Sequence, residues 1–332
     1  MEVNTINLRT WARLGQRGAF FGIALPNIAE HMDNIKLLTA DLAILSGMER
    51  YRANYPDKFL NVGIAEQNMI GIAAGLAMDG NCVFATTYSS FIAVRSLEHV
   101  RQHLSHLQCN VKIVGTAAGV VAAKSGVSHW ATEDLAFIRA LPNLEVFSAA
   151  DSLEAIKIAN YAASNTKPMY IRLSGGLNSP LVYKEDYEFE PGKLIKIKSG
   201  SDIAIISTGL MVAESVKAAN KLEEEGISCS VYNMHTIKPI DKEGLSEIFQ
   251  SYHLIVTVEE HNIIGGMGSA VAEYKATLSD TPKQVFIGIQ DQYTSAGSQR
   301  YVWEQAGLTE EKIALHIKEE FAKVIKCNKN GG

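Results

Sequence analysis

Long apolar runs are missing from this 332-residue chain. Each hydrophobic stretch is broken by glycine or charge before reaching the roughly 20 residues a membrane helix requires. The N-terminus, Met1-Glu2-Val3-Asn4-Thr5, lacks the basic start and apolar core of a secretory signal. An excess of basic charge is also missing. Lys and Arg total 31 against 36 Asp and Glu, a net charge of −5, which argues against the clustered positive surface that nucleic acids select. Cysteine is sparse: Cys82, Cys109, Cys229 and Cys327 stand far apart and form neither a disulfide framework nor a paired metal spacing. The expected compartment is a reducing cytoplasm. What remains is an ordinary globular composition, 47% hydrophobic and 20% charged, in a chain long enough for two domains.

Strand and helix patterns alternate along the chain, the signature of α/β folds with mostly parallel sheets covered on both faces. A helical stretch from Asn4 to about His31 leads into a strand over Ile35–Ala43. Strands follow at Phe59–Val62, Cys82–Thr86, Val111–Gly115, Leu144–Phe147 and Met169–Leu173, with a small-residue helix over Gln67–Met78. Gly175, Gly176, Pro180, Pro191 and Gly192 then interrupt the pattern. Alternation resumes with strands at Asp202–Ser207, Cys229–Asn233, Leu254–Val258 and Gln284–Ile289. Helices are expected over Val212–Glu225 and Gly268–Leu278, and a frayed polar tail over Lys326–Gly332. The expected division is a domain over residues 1–180, a linker over 181–199 and a second domain over 200–327.

The segment Asn61-Val62-Gly63-Ile64-Ala65-Glu66-Gln67-Asn68-Met69 carries the most chemical information. A strand ends, a glycine turns, and a carboxylate begins a helix of small residues. Ligands of open α/β sheets bind at that end of the strands. From spacing alone, a glutamate favourably placed at a helix N-terminus is the preferred explanation of the position.

The stretch NVGIAEQNMIGIAAGLAMDG resembles the pyrimidine-binding domain of transketolases, especially the short two-subunit bacterial kind, and of deoxyxylulose-phosphate synthases. The resemblance continues through TTYSSFIAVRSLEHVR, GVSHWATEDLAFIRALPNLEVFSAAD, KPMYIRLS, IISTG and TVEEHNIIGGMGSAV, covering nearly the whole chain in order. It implies two open, twisted, mostly parallel sheet domains: a thiamine-diphosphate pyrimidine-binding domain and a transketolase C-terminal domain. It also implies that Glu66 hydrogen-bonds a ring nitrogen of the cofactor's aminopyrimidine and sets its tautomer, leaving the carbon chemistry to the cofactor. Phe91 and Tyr88 match the aromatic positions around that ring, and Asp41 an aspartate near cofactor and interface. His129 matches a histidine of the sugar channel. Arg95, Glu98 and Arg101 read as an ion-paired helix face, Glu133 and Asp134 as charges opening a helix, and Gly265-Gly266-Met267-Gly268 as a structural turn.

Thiamine enzymes also need a Gly-Asp-Gly segment with a downstream asparagine, whose oxygens hold Mg²⁺ or Ca²⁺ and anchor the diphosphate. This chain contains no Gly-Asp-Gly. The chain also begins where a full-length transketolase would be past its first domain. The resemblance therefore implies a partner subunit carrying that half, in an α₂β₂ assembly. Two departures bear on substrate. Lys124-Ser125 stands where transketolases have Glu-Asp, and Gly175 follows Leu173-Ser174 where an arginine is common. Lys124, Arg172 and Arg9 are the candidate replacement cations for a sugar phosphate, with Ser125 beside them, and an altered ketose or aldose is expected. The alternatives are a deoxyxylulose-phosphate-synthase-like half, the β-type subunit of a 2-oxo-acid dehydrogenase, and a non-catalytic paralogue that only binds a partner.

Overall fold

The computed structural model describes the backbone of residues 2–330 and the side chains of residues 2–326. Among the described residues twelve strands form: β1 (Ile35–Thr39), β2 (Phe59–Asn61), β3 (Cys82–Tyr88), β4 (Val111–Thr116), β5 (Glu145–Ser148), β6 (Met169–Arg172), β7 (Ile195–Lys198), β8 (Ile203–Ser207), β9 (Cys229–Asn233), β10 (Thr236–Lys238), β11 (Leu254–Asn262) and β12 (Lys283–Ile289). They make a seven-stranded sheet in the order β10-β5-β6-β4-β3-β1-β2 and a five-stranded sheet in the order β12-β11-β8-β9-β7. Of these strand pairs, β10–β5 and β7–β9 are antiparallel and the others parallel. The architecture is two mostly parallel α/β sheets, as the alternation of patterns predicts. β10 returns from the later part of the chain to edge the first sheet, with Thr236 opposite Phe147.

The central strands are hydrophobic on both faces because helices cover both. In β3, Cys82, Val83, Phe84 and Ala85 are all fully buried. The helix Glu66–Met78 packs on β3, burying its Met69, Ile70, Ala73 and Ala74 in the core.

Four local expectations are corrected. The first helix does not run unbroken to His31: Thr5–Arg17 jogs at Gly15, whose φ is +71°, before wide-turned and ordinary helix over Gly18–Ala24 and Leu25–Ala29. A Cβ at Gly15 would lie 1.9 Å from the Gly176 carbonyl oxygen, so close passage of that chain requires glycine. The strand from Ile35 stops at Thr39, because Asp41 takes φ +60° and leaves the extended region. β7 falls inside the stretch read as irregular. Finally, the helix Glu310–Asn330 continues through Lys326, carried by Ile313 and Ile317, which are buried in the second core; Gly331 and Gly332 lie outside the described residues. No helix among the described residues is long and apolar enough to cross a membrane.

Candidate active site

The carboxyl ends of β1, β2, β3 and β4 lie side by side, and the candidate residues sit just beyond them. After β2, Asn61 organises the turn. Its Oδ1 accepts from the Asp41 and Gly63 amides, each at 3.0 Å, and its Nδ2 donates to the Asp41 carboxylate at 3.0 Å. Gly63 has φ +73°, and three residues later Glu66 opens its helix with the side chain buried. Placement at a helix N-terminus suits a carboxylate.

Beyond β3 the chain enters a short wide-turned helix, Phe91–Arg95, closed by the Ser96 amide donating to the Phe91 carbonyl five residues back. Such turns concentrate at functional sites. Tyr88, Phe91 and His129 form a triangle of rings, with centroids 5.8 Å, 5.5 Å and 6.0 Å apart. His129 arrives on the turn Val127–His129 after Gly126 (φ +76°). Its Nδ1 lies 2.9 Å from Ser128 Oγ, and Ser90 Oγ donates to its carbonyl at 3.4 Å.

The structure thus brings Tyr88, Phe91 and His129 together, and joins Glu66 to them through Arg95. Arg95 Nη1 donates to Glu66 Oε1 at 2.7 Å, while its guanidinium carbon sits 4.3 Å from the Phe91 ring centre. The ion-paired helix face is therefore corrected: Glu98 and Arg101 pair at 2.9 Å, but Arg95 turns into the site. The four-residue spacing of Phe91 and Arg95, which puts both on one helical side, was the signal available for it. Asp41 sits one turn away, tied to Asn61. Lys124 and Ser125 are exposed on the loop leading to His129, and Arg9 is exposed on the first helix; no hydrogen bond or ion pair among the described residues joins Arg9 to the cluster.

Arg172 is not an available cation. It is 1% exposed, its Nε bonds Asp134 Oδ2 at 2.8 Å, and its Nη2 donates to the carbonyls of Ala131 (3.1 Å) and Glu260 (3.0 Å). Tyr170 donates to the same Asp134 oxygen at 2.6 Å. Asp134 does open a helix, but its carboxylate is spent inside this buried network. The neighbouring Glu260, on β11, accepts from Trp303 Nε1 at 2.6 Å, and burial pushes its carboxyl up to about 7. Burying a guanidinium is tolerable only when it is paired with a carboxylate and hydrogen-bonded in this way.

Gly175 is also interior. Its amide donates to Gln16 Oε1 at 2.8 Å, and a Cβ there would lie 2.6 Å from Gln16 Cγ, so an arginine cannot occupy this place without displacing Gln16. The glycine turn Gly265–Gly268 is structural, as expected: Met267 and Gly268 amides donate to Glu259 at 2.7 and 2.8 Å. The protein's own carboxylate occupies the anion position of that helix N-terminus.

Residues 17–179 match the family model for the transketolase pyrimidine binding domain, and residues 192–313 that for the transketolase C-terminal domain. A putative transketolase C-terminal section of Methanocaldococcus jannaschii is 38% identical over 305 residues, 91% of this chain and 95% of its own. The chain belongs to the transketolase family. Within this transketolase family it is also 35% identical to the 6-deoxy-6-sulfo-D-fructose transketolase subunit of a Clostridium species (strain MSTE9), over 86% of this chain and 88% of that one. Among solved structures, a split gene transketolase described as an inactive β4 tetramer superposes with a TM-score of 0.83 at 37% identity, covering 93% and 98% of the two chains. Relatives of this kind imply a partner subunit and oligomerisation.

Transketolase membership implies thiamine diphosphate as cofactor, and the residues present fit its pyrimidine end. A buried carboxylate and an aromatic face stand together, and a flat, N–H-bearing group, the Arg95 guanidinium, already lies on Phe91 and donates to Glu66. Among the described residues no group of three or more His, Cys, Asp or Glu side chains is arranged to hold a metal ion.

Proposed function

We propose that this chain is the pyrimidine-holding subunit of a two-subunit transketolase that moves a two-carbon ketol unit from a ketose to an aldose. The observation that carries this reading is the buried Glu66 carboxylate beside the Phe91 ring. Thiamine diphosphate, when bound, supplies the carbanion-stabilising chemistry. Glu66 holds or shares a proton at the pyrimidine nitrogen, and Phe91 and Tyr88 flank the ring, an aromatic contact contributing on the order of 1 kcal/mol. Asp41, tied to Asn61, shapes the floor of the turn. His129 donates to or accepts from a sugar hydroxyl or oxyanion, with Ser128 biasing its ring. A partner subunit bearing Gly-Asp-Gly holds Mg²⁺ or Ca²⁺ and the diphosphate, in a cytoplasmic α₂β₂ assembly. Residues 1–180 and 200–327 act as the two domains of this half.

The interior position of Gly175 leaves the usual phosphate clamp without a side chain at that place. Exposed Lys124, Ser125 and Arg9 then select an altered sugar, in keeping with the similarity to a subunit named for a sulfonated ketose. Mixing this chain with a Gly-Asp-Gly subunit, thiamine diphosphate and Mg²⁺ should give ketol transfer that neither chain shows alone. Full activity from this chain by itself would overturn the reading.

A further inference from the structure

Arg95 touches both halves of the candidate pyrimidine site. It reaches Glu66 Oε1 at 2.7 Å and covers Phe91 at 4.3 Å. Its side chain remains 48% exposed while that of Glu66 is 5% exposed, so the cation closes the site from the solvent side. Its backbone is fixed, with Gln67 Nε2 donating to its carbonyl at 3.1 Å. Its side chain donates to no other acceptor among the described residues. The residue is thus anchored at its base and held at its tip only by the two groups that a pyrimidine would use.

The geometry points to Arg95 as an internal stand-in for the pyrimidine ring, a latch that the ring must displace in order to bind. This inference rests on the proposed assignment of Glu66 and Phe91 to the cofactor. The guanidinium is planar and bears N–H donors, so it satisfies the carboxylate and the aromatic face with the same two kinds of contact as an aminopyrimidine. In the resting chain the cation keeps Glu66 paired and covers the face of Phe91. A pyrimidine cannot occupy the same face of Phe91 while Arg95 lies there, so ring binding and latch closure are mutually exclusive. Affinity for the ring is reduced by the free energy of the closed latch. A partly exposed ion pair and a partly exposed cation–π contact together correspond to about threefold to thirtyfold in affinity.

The test uses the full chain and the isolated ring, 4-amino-5-hydroxymethyl-2-methylpyrimidine, in a ligand-observed NMR titration that reads millimolar affinities. Circular dichroism confirms that each variant is folded. Arg95→Ala should bind the ring about threefold to thirtyfold more tightly than the parent chain. Arg95→Lys, which keeps the charge but loses the flat stacking surface, should fall between them. Glu66→Ala should lose binding with or without Arg95. Unchanged or weaker binding by Arg95→Ala, with Glu66 still required, would overturn the latch and make Arg95 a support of the site. Absence of Glu66-dependent binding in every variant would overturn the pyrimidine assignment and the latch with it.

Discussion

Changing Asp134 to Asn keeps the shape of the side chain but leaves the Arg172 guanidinium charged without its ion-pair partner in a place 1% exposed to solvent. Four contacts define what is lost or weakened: Arg172 Nε to Asp134 at 2.8 Å, Tyr170 to Asp134 at 2.6 Å, and Arg172 Nη2 to the Ala131 and Glu260 carbonyls at 3.1 and 3.0 Å. Removing one partner of a buried ion pair costs about 3–5 kcal/mol. With each kcal/mol worth roughly 2–4 °C in a domain of this size class, Tm should fall by about 6–20 °C. The double variant Asp134→Leu, Arg172→Met leaves no orphaned charge and should recover more than half of that loss, giving a large coupling energy in the double-mutant cycle. Thermal unfolding by circular dichroism reads all three values. A Tm change under about 2 °C for Asp134→Asn, far short of the expected fall, accompanied by a weakened KM for sugar in the assembled enzyme, would refute the assignment of Arg172 to the interior.

Two further outcomes follow from buried positions. Burial raises the Glu260 carboxyl from its ordinary 4.5 to about 7, so the folded chain keeps a proton that the unfolded chain releases. This group's contribution therefore falls as pH rises from about 4.5 to about 7 and is level above, a total of about 3 kcal/mol. Glu260→Gln should lack that decline in denaturation measured across the window, and an unchanged slope would assign the pH dependence elsewhere. Gly15→Ala, whose new methyl would lie 1.9 Å from the Gly176 oxygen at a φ of +71°, should lower stability by about 2 kcal/mol or more. A neutral result in urea denaturation would mean that the segment at Gly176 can yield.

Most of the fold was legible because both sheets are buried on both faces, and their strands are short apolar runs set between helical patterns. The misreadings arose where one backbone dihedral decided the outcome. Asp41 at φ +60° ends β1 early, and Gly15 at φ +71° jogs the first helix, although neither change alters hydrophobic pattern. β10 was invisible because an edge strand of three residues, Thr236–Lys238, carries too little periodicity to detect. In the candidate site, spacing alone offered a glutamate at a helix start. The family motif around it pointed to Glu66, Tyr88, Phe91 and His129, and the fold supplied their convergence. Arg172 misled because a strand-end arginine looks the same in sequence whether it faces solvent or a buried aspartate. Arg95 was hidden for the converse reason: its neighbours Glu98 and Arg101 made it look like one more member of a charged helix surface.

The most direct measurement is turnover of the reconstituted two-subunit assembly carrying Glu66→Gln, with assembly followed by analytical ultracentrifugation. Glutamine preserves the size of the side chain but cannot hold or share the proton. Ketol transfer should fall by about 100-fold or more while the subunits still associate. Transfer at the parent rate by a correctly assembled variant would contradict the role given to this carboxylate.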